Sequence, residues 1–312
     1  LGNTEFWQTE EDATNGLMGA YADVRGLFSR DYYFDGQGEY VRVRDGSGSL
    51  SNTTTNITQG AAYKGGCYFP DPSYRFGAKF DTYYKFCYGG IHRVNYVIEN
   101  TLKMIPNAKT EESKKKLETV IGEARLLRGM IYFRLISMWG DVPYIDHVVY
   151  NQTEMDKIVR TSIAKIKDYI IEDFNYAFEK LPVKSEQIGR ASKPAALAFK
   201  GKLELYWACW NHFGWPELDT FTPSEEEARK AYKAAADDFH AVINDYGLNL
   251  FRNGEPGEWG ELGDANVLPN YFYLFLPTTG NVNTDGEIIF AFTHGGPGTG
   301  QGESLMRDFA GR

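Results

Sequence analysis

Residues 123–146, EARLLRGMIYFRLISMWGDVPYID, allow little but a long interior helix with an abrupt end. From Leu117 onward, apolar side chains recur at Val120, Ile121, Ala124, Leu127, Ile131, Leu135 and Met138. That three- and four-residue spacing draws one face of an α-helix. Leu126, Met130 and Phe133 supply a second apolar face, so the helix is expected to be buried between neighbours. Gly140 provides a left-handed stop, and Pro143 forbids resumption.

Five further helical patterns accompany this one. Thr9 caps the first, with Asp12 at the capping-box position and a stripe through Ala13, Leu17, Tyr21, Val24 and Phe28. A second opens at Asp81 or Thr82 and is striped by Tyr84, Tyr88, Ile91, Asn95, Ile98 and Leu102. The 123–146 block belongs to the third, which begins near Thr110. A fourth is expected from near Thr153 through Val159, Ile163, Ile166, Ile170 and Phe174, stopped by Pro182. Ser192 caps a fifth, and Ser224 with Glu227 caps a sixth that Gly247 ends.

These helices read as pairs, with openings at Thr82, Thr153 and Ser224 spaced 71 residues apart. The expected fold class is mainly α: tetratricopeptide-like stacked helical hairpins, an α-α superhelix with long irregular loops and little strand. The consensus residues of a strict tetratricopeptide unit are absent. A single domain over 1–312 is expected, with a helical core at 9–247, a loop insert at 31–80 and a loop-rich region at 248–312. One strand is expected at 287–293. The insert is rich in Gly, Ser, Thr, Asn and Tyr; a loop this long is usually functional or disordered, and its aromatics argue against disorder.

Charge and motifs exclude several chemistries. A net charge of −9 opposes nucleic-acid binding, and the basic run at 114–116 sits among Glu111, Glu112 and Glu118 as a solvated helix face. No apolar run reaches the ~18 residues of a membrane span. No signal peptide opens the sequence, which leaves a cytosolic protein or one whose targeting segment has been removed. Cys67, Cys87 and Cys209 lack zinc-site spacing, and Cys209 with His212 makes only two ligands, so no metal or cofactor is expected. The glycine run at 295–302 has Gln301 and Gly302 where a phosphate loop needs Lys and Ser or Thr. No HExxH or GxSxG motif occurs. Paired catalytic carboxylates normally sit on strand ends or barrel loops, and this sequence offers almost no strands.

Two features carry binding chemistry. Glu123, Arg125, Arg128 and Arg134 lie on an otherwise apolar helix, where buried arginines need carboxylate or carbonyl acceptors; their expected role is to pin helices and loops together. Aromatic content is the compositional anomaly, 15% of the chain. Many of these rings fall in helices, but a good share lie in Gly-rich loops. Tyr40, Tyr63, Tyr68, Tyr74, Trp259, Tyr271 and Tyr273, with Arg75, are the candidate ligand-binding residues. Rings with a polar tip suit stacking on sugars, while amides, Arg and Asp take the hydroxyls.

Four blocks resemble the SusD/RagB family of glycan-uptake lipoproteins. FWQTEEDATNGLMGAYADVR is similar to its first helix, with Thr9, Glu10, Ala20 and Tyr21 in place. In the second helix Tyr88, Ile91, Asn95 and Asn100 fit, and Tyr84 stands where the family usually has Trp. The strongest block matches at Glu123, Ala124, Arg125, Arg128, Tyr132 and Phe133, followed by Trp139, Gly140, Asp141, Val142 and Pro143. GRASKPAALAFKGKLELYWA fits through Gly189, Arg190, Ala195, Ala196, Leu205 and Tyr206. The resemblance implies a non-catalytic, surface-exposed outer-membrane lipoprotein. Such a protein binds an oligo- or polysaccharide and sits as a lid on a TonB-dependent, SusC-like transporter. It also implies an N-terminal lipidated cysteine, which this sequence lacks, and a longer chain, so 1–312 is expected to be a fragment or truncated product. The alternatives weighed beside it are a tetratricopeptide-type scaffold that binds protein, and a glycosidase.

Overall fold

A computed structural model of the chain describes residues 6–28, 77–185, 187–214, 218–254 and 286–293. The fold is mainly α, and its described helices fall into two compact units, one over Leu1–Thr161 and Phe292–Arg312, the other over Ser162–Ala291.

In the first unit, α1 (Glu10–Phe28) starts at a capping box. The Thr9 amide and hydroxyl both donate to the Asp12 carboxylate, at 2.7 and 2.6 Å, and the Asp12 amide donates back to the Thr9 hydroxyl. This satisfies donors that a helix start leaves orphaned. α1 buries Ala13, Leu17, Ala20, Tyr21, Val24 and Leu27. α2 (Gly77–Met104) opens earlier than its apolar stripe suggests. A single 3-10 turn, Ile105–Asn107, with Pro106 in its first positions, joins it to α3 (Glu111–Trp139). Thr110 caps α3 by accepting from the Ser113 amide.

α3 is the interior element of this unit. Leu126, Leu127, Ile131, Leu135 and Ile136 are all fully buried and lie on more than one face, as the two-sided pattern requires. Each such side chain contributes roughly 1.5–3 kcal/mol when removed from water. At the end of α3, Gly140 takes φ 67° and its amide closes on Ile136 O; a side chain at that φ would be strained.

Here the structure departs from the expected fourth helix. Only a short α4 (Gln152–Met155) forms, capped by Asn151. The backbone then extends, and β2 (Arg160–Thr161) pairs antiparallel with β1 (Val142–Pro143), Val142 opposite Thr161. That pairing withdraws residues 160–161 from any helix, and Val159 is exposed.

The second unit holds α5 (Ile163–Lys180), α6 (Lys193–Phe213) and α7 (Glu225–Asn244). α5 buries Ile163, Ile166, Ile170, Phe174 and Ala177. α7 presents Ala228, Ala231 and Ala235, small residues that bring its backbone close to α6. Gly201 completes the fit, since a Cβ there would lie 3.0 Å from the Phe239 ring. A half-buried ion pair joins the two helices, Lys200 Nζ to both Asp238 oxygens at 2.9 and 3.0 Å. With helices opening at Gly77, Ile163 and Glu225, the even 71-residue spacing does not hold.

The strand expected at 287–293 is absent. Residues 286–293 form no strand and carry a bend at Ile289. In the second unit the Phe251 amide donates to the Glu287 carboxylate. In the first, Phe292 stacks on Phe28, and Arg25 donates to Thr293 O. Side-chain packing and irregular hydrogen bonds take the place of a ladder.

Candidate functional site

The best-defined polar constellation surrounds the segment after Gly140, which forms a strap across α2 and α3. Tyr88, on α2, donates to Pro143 O at 2.7 Å. Asn95, seven residues further along the helix and 1% exposed, donates to Ile145 O at 2.9 Å and His147 O at 3.1 Å. From α3, Arg128 donates to Asn95 Oδ1 at 2.9 Å and Asp146 O at 3.1 Å. The Tyr132 hydroxyl donates to Ile145 O and accepts from the Ile145 amide at 2.6 Å. A buried guanidinium and a buried amide are thereby paired, as the cost of burying polar groups demands. Glu123 is held separately, accepting from the Tyr21 hydroxyl on α1 at 2.7 Å. Arg134 lies over the Phe28 ring at 5.5 Å.

Where α3 ends, the start of α2 brings rings together. Trp139 stacks on Tyr83 with centroids 6.3 Å apart and meets Tyr84 edge-on at 5.1 Å. Tyr84 touches Tyr88 at 4.9 Å, and Tyr132 touches Tyr144 at 4.7 Å. Burial and the neighbouring Tyr84 push the Tyr88 hydroxyl well above the ordinary tyrosine range, so it stays a donor to Pro143 O. Burial pushes the nearby Cys87 thiol up to about 12, leaving it an inert apolar filler.

Asp141 and Pro143 follow Gly140 at the root of the strap, and Pro143 contributes its carbonyl and its place in β1. Tyr40, Tyr63, Tyr68, Tyr74, Arg75, Trp259, Tyr271 and Tyr273, the candidate ligand contacts, lie outside the described residues. Sequence reasoning placed Tyr88 and Asn95 on one helix stripe and Tyr132 in the family-like block without seeing their shared target. The available signal was polar residues inside apolar stripes, which demand partners.

Other chemistry is sparse. Cys209 receives the Tyr232 hydroxyl at 3.7 Å, and His212 packs on Phe213. Among the described residues, no group of three or more His, Cys, Asp or Glu is placed to hold a metal. Burial raises Glu204, against the pull of Lys167 and Lys200. No described helix is long and apolar enough to cross a membrane.

Helical hairpins, with the segment that follows α3 strapped down by side chains of α2 and α3, define an α-helical repeat-type scaffold. The chain belongs to the SusD-like family: the family described as "Starch-binding associating with outer membrane" matches residues 47–205. It is 31% identical over 170 residues to a SusD-like protein of Bacteroides ovatus, covering 54% of this chain and 28% of that one. Among solved structures, a SusD-like protein of Bacteroides fragilis aligns with TM-score 0.61 and 21% identity, over 95% of this chain and 47% of the other. A protein described as a laminarin-binding SusD-like protein aligns with TM-score 0.55 and 23% identity, over 78% of this chain and 46% of its own. The chain thus spans less than half the length of each of these relatives.

Proposed function

We propose that this chain is the helical part of a non-catalytic cell-surface protein that binds oligo- or polysaccharide and delivers it to a TonB-dependent, SusC-like transporter. The observation that carries the reading is the match of residues 47–205 to a starch-binding family associated with the outer membrane. The laminarin-binding relative supports a glycan as the ligand class. In this reading a lipid anchor supplies the membrane attachment, and no metal or cofactor takes part. The polar groups of 123–146 act on the scaffold, holding the strap and α1. Ligand contact falls to the aromatic loops, through Tyr40, Tyr63, Tyr68, Tyr74, Arg75, Trp259, Tyr271 and Tyr273, whose rings offer flat faces to sugars.

Calorimetric titration against a panel of neutral oligosaccharides tests it. A defined sugar is expected to bind without being cleaved, and Trp259→Ala or Tyr74→Ala to weaken binding about tenfold or more, in line with the ~1.5–3 kcal/mol of burying a large apolar side chain, at nearly unchanged melting temperature. Loop-aromatic variants that lose stability but keep affinity would sink the stacking model. Silence toward every sugar, with tight transporter binding, would support a protein-interaction scaffold instead.

A further inference from the structure

A cleft lies in the first unit, at the end where α1 begins, α2 ends and α3 begins. Its volume is about 920 Å³, within the range of roughly 300–1,000 Å³ typical of small-molecule sites.

Its walls combine three kinds of surface. Half-buried Met104 and the 9% exposed edge of Trp7 provide apolar area. Trp7 is held in place by edge-on contacts with Phe6 at 5.2 Å and Tyr96 at 5.9 Å. Gly16, on α1, leaves room for its ring, because any Cβ there would collide with Trp7. Polar recognition groups come next. Asn100 is 5% exposed yet lines the cleft. Its Nδ2 donates to Tyr96 O at 2.8 Å, which fixes the orientation of the amide. Oδ1 receives no hydrogen bond from any described residue and remains an open acceptor. Asn107, exposed on the 3-10 turn, adds a second amide with no described partner.

Charge is the third property. The cleft carries two acids, Glu10 and Glu11, and two bases, Lys103 and Lys109. Glu10 is paired with Lys116 at 3.6 Å, and Lys103 with Glu99 at 2.8 Å. Among the described residues Glu11 and Lys109 have no ion-pair partner, so the two unpaired charges of the lining are opposite in sign. An ionic ligand gains little there, since each charge meets its like as well as its opposite. Such a lining suits a neutral molecule with many hydroxyls and one apolar face: amides and charged tips take the hydroxyls, and the aromatic and aliphatic surface takes the C–H face.

We infer that this cleft is a second glycan subsite, binding a short neutral oligosaccharide independently of the loop aromatics. The buried Asn100 amide supplies the fixed acceptor, and Trp7 the apolar wall.

Fluorine NMR of the fluorotryptophan-labelled 312-residue chain tests this directly, with the Trp7 signal assigned by Trp7→Phe. The probes are maltohexaose, laminarihexaose, cellohexaose and xylohexaose, with a sulfated hexasaccharide as the charged control. The expected result is a saturable shift of the Trp7 signal with at least one neutral sugar. Asn107→Ala, an exposed change, is expected to weaken that response about two- to tenfold, the effect of one lost hydrogen bond. Asn100→Leu is expected to abolish it, circular dichroism reporting that the variant is folded. The response should persist in Trp259→Ala, which separates this subsite from the loops. A Trp7 signal that stays still with all four neutral sugars overturns the inference. So does one that moves only with the sulfated sugar, survives Asn107→Ala unchanged, or disappears in Trp259→Ala.

Discussion

Glu123 and His147 illustrate how differently a buried and an exposed charge act in this molecule. Glu123 is 1% exposed and accepts from the Tyr21 hydroxyl, a contact linking α3 to α1. A hydrogen bond to a charged acceptor contributes about 1.5–3 kcal/mol. Tyr21→Phe is expected to lower the unfolding free energy by about that amount, read as a lower urea midpoint at unchanged slope. His147 is half exposed, with Nδ1 on Asp146 and Nε2 on Glu154, both at 2.8 Å. Two acceptors call for two N–H donors. The Asp146 hydrogen bond, with help from Glu154 and against partial burial, raises His147 above its ordinary 6.5. Burial acts to raise Asp146, yet the His147 hydrogen bond and backbone contacts bring it below its ordinary 3.8. The sign follows from linkage. The His147 contribution is complete below pH 6.5 and is lost as pH rises through its raised value; the Asp146 contribution is complete above 3.8 and is lost as pH falls. Thermal melts should therefore show a modest fall in Tm from pH 6 to 8.5 that flattens in His147→Gln. An equally steep slope in the variant would assign the dependence to other groups.

At the scale of elements, glycine and alanine decide how close two helices come. Gly201 faces Phe239 and Asp238 across the α6–α7 contact, where a Cβ would meet atoms at 3.0 and 3.2 Å. Alanine there gains about 1 kcal/mol of helix propensity against a tight contact, so Gly201→Ala should stay within about 1 kcal/mol of wild type. Gly201→Leu cannot be accommodated without moving α7 and should cost about 1–3 kcal/mol, measured by thermal denaturation. A stable leucine variant would mean that the helices separate freely. These helices were legible in the sequence because three- and four-residue spacing and caps are local signals: Thr9 and Ser224 cap where the pattern places them, and Ser192 takes its N-cap position without a side-chain bond. The break before α5 was not legible. Val159, Ile163 and Ile166 keep helical spacing straight across it, and the pairing that stops the helix comes from Val142 and Pro143, far away in sequence.

For the whole molecule, a net charge of −9 sets the background against which a ligand binds. Stacking and hydrogen bonds to a neutral glycan should be almost indifferent to that field, whereas a charged ligand would feel it through a Debye length of about 10 Å at 0.1 M salt. The dissociation constant for the best sugar of the panel should change less than about twofold between 50 and 500 mM NaCl; a steep dependence would point to a polyanion or polycation. The scaffold half of the site was readable as buried charges needing acceptors, and Arg128 meets an expected loop carbonyl at Asp146 O together with the Asn95 amide oxygen. Main-chain acceptors leave no trace in residue type. The strap has a consequence of its own. Tyr88, Asn95, Arg128 and Tyr132 hydrogen-bond Pro143, Ile145, Asp146 and His147 through the strap's backbone atoms. These hydrogen bonds do not depend on which side chains the strap carries. Relatives that keep the four gripping side chains are free to rewrite the strap's own sequence, so this corner is a place where new surface chemistry can evolve without refolding the scaffold beneath it.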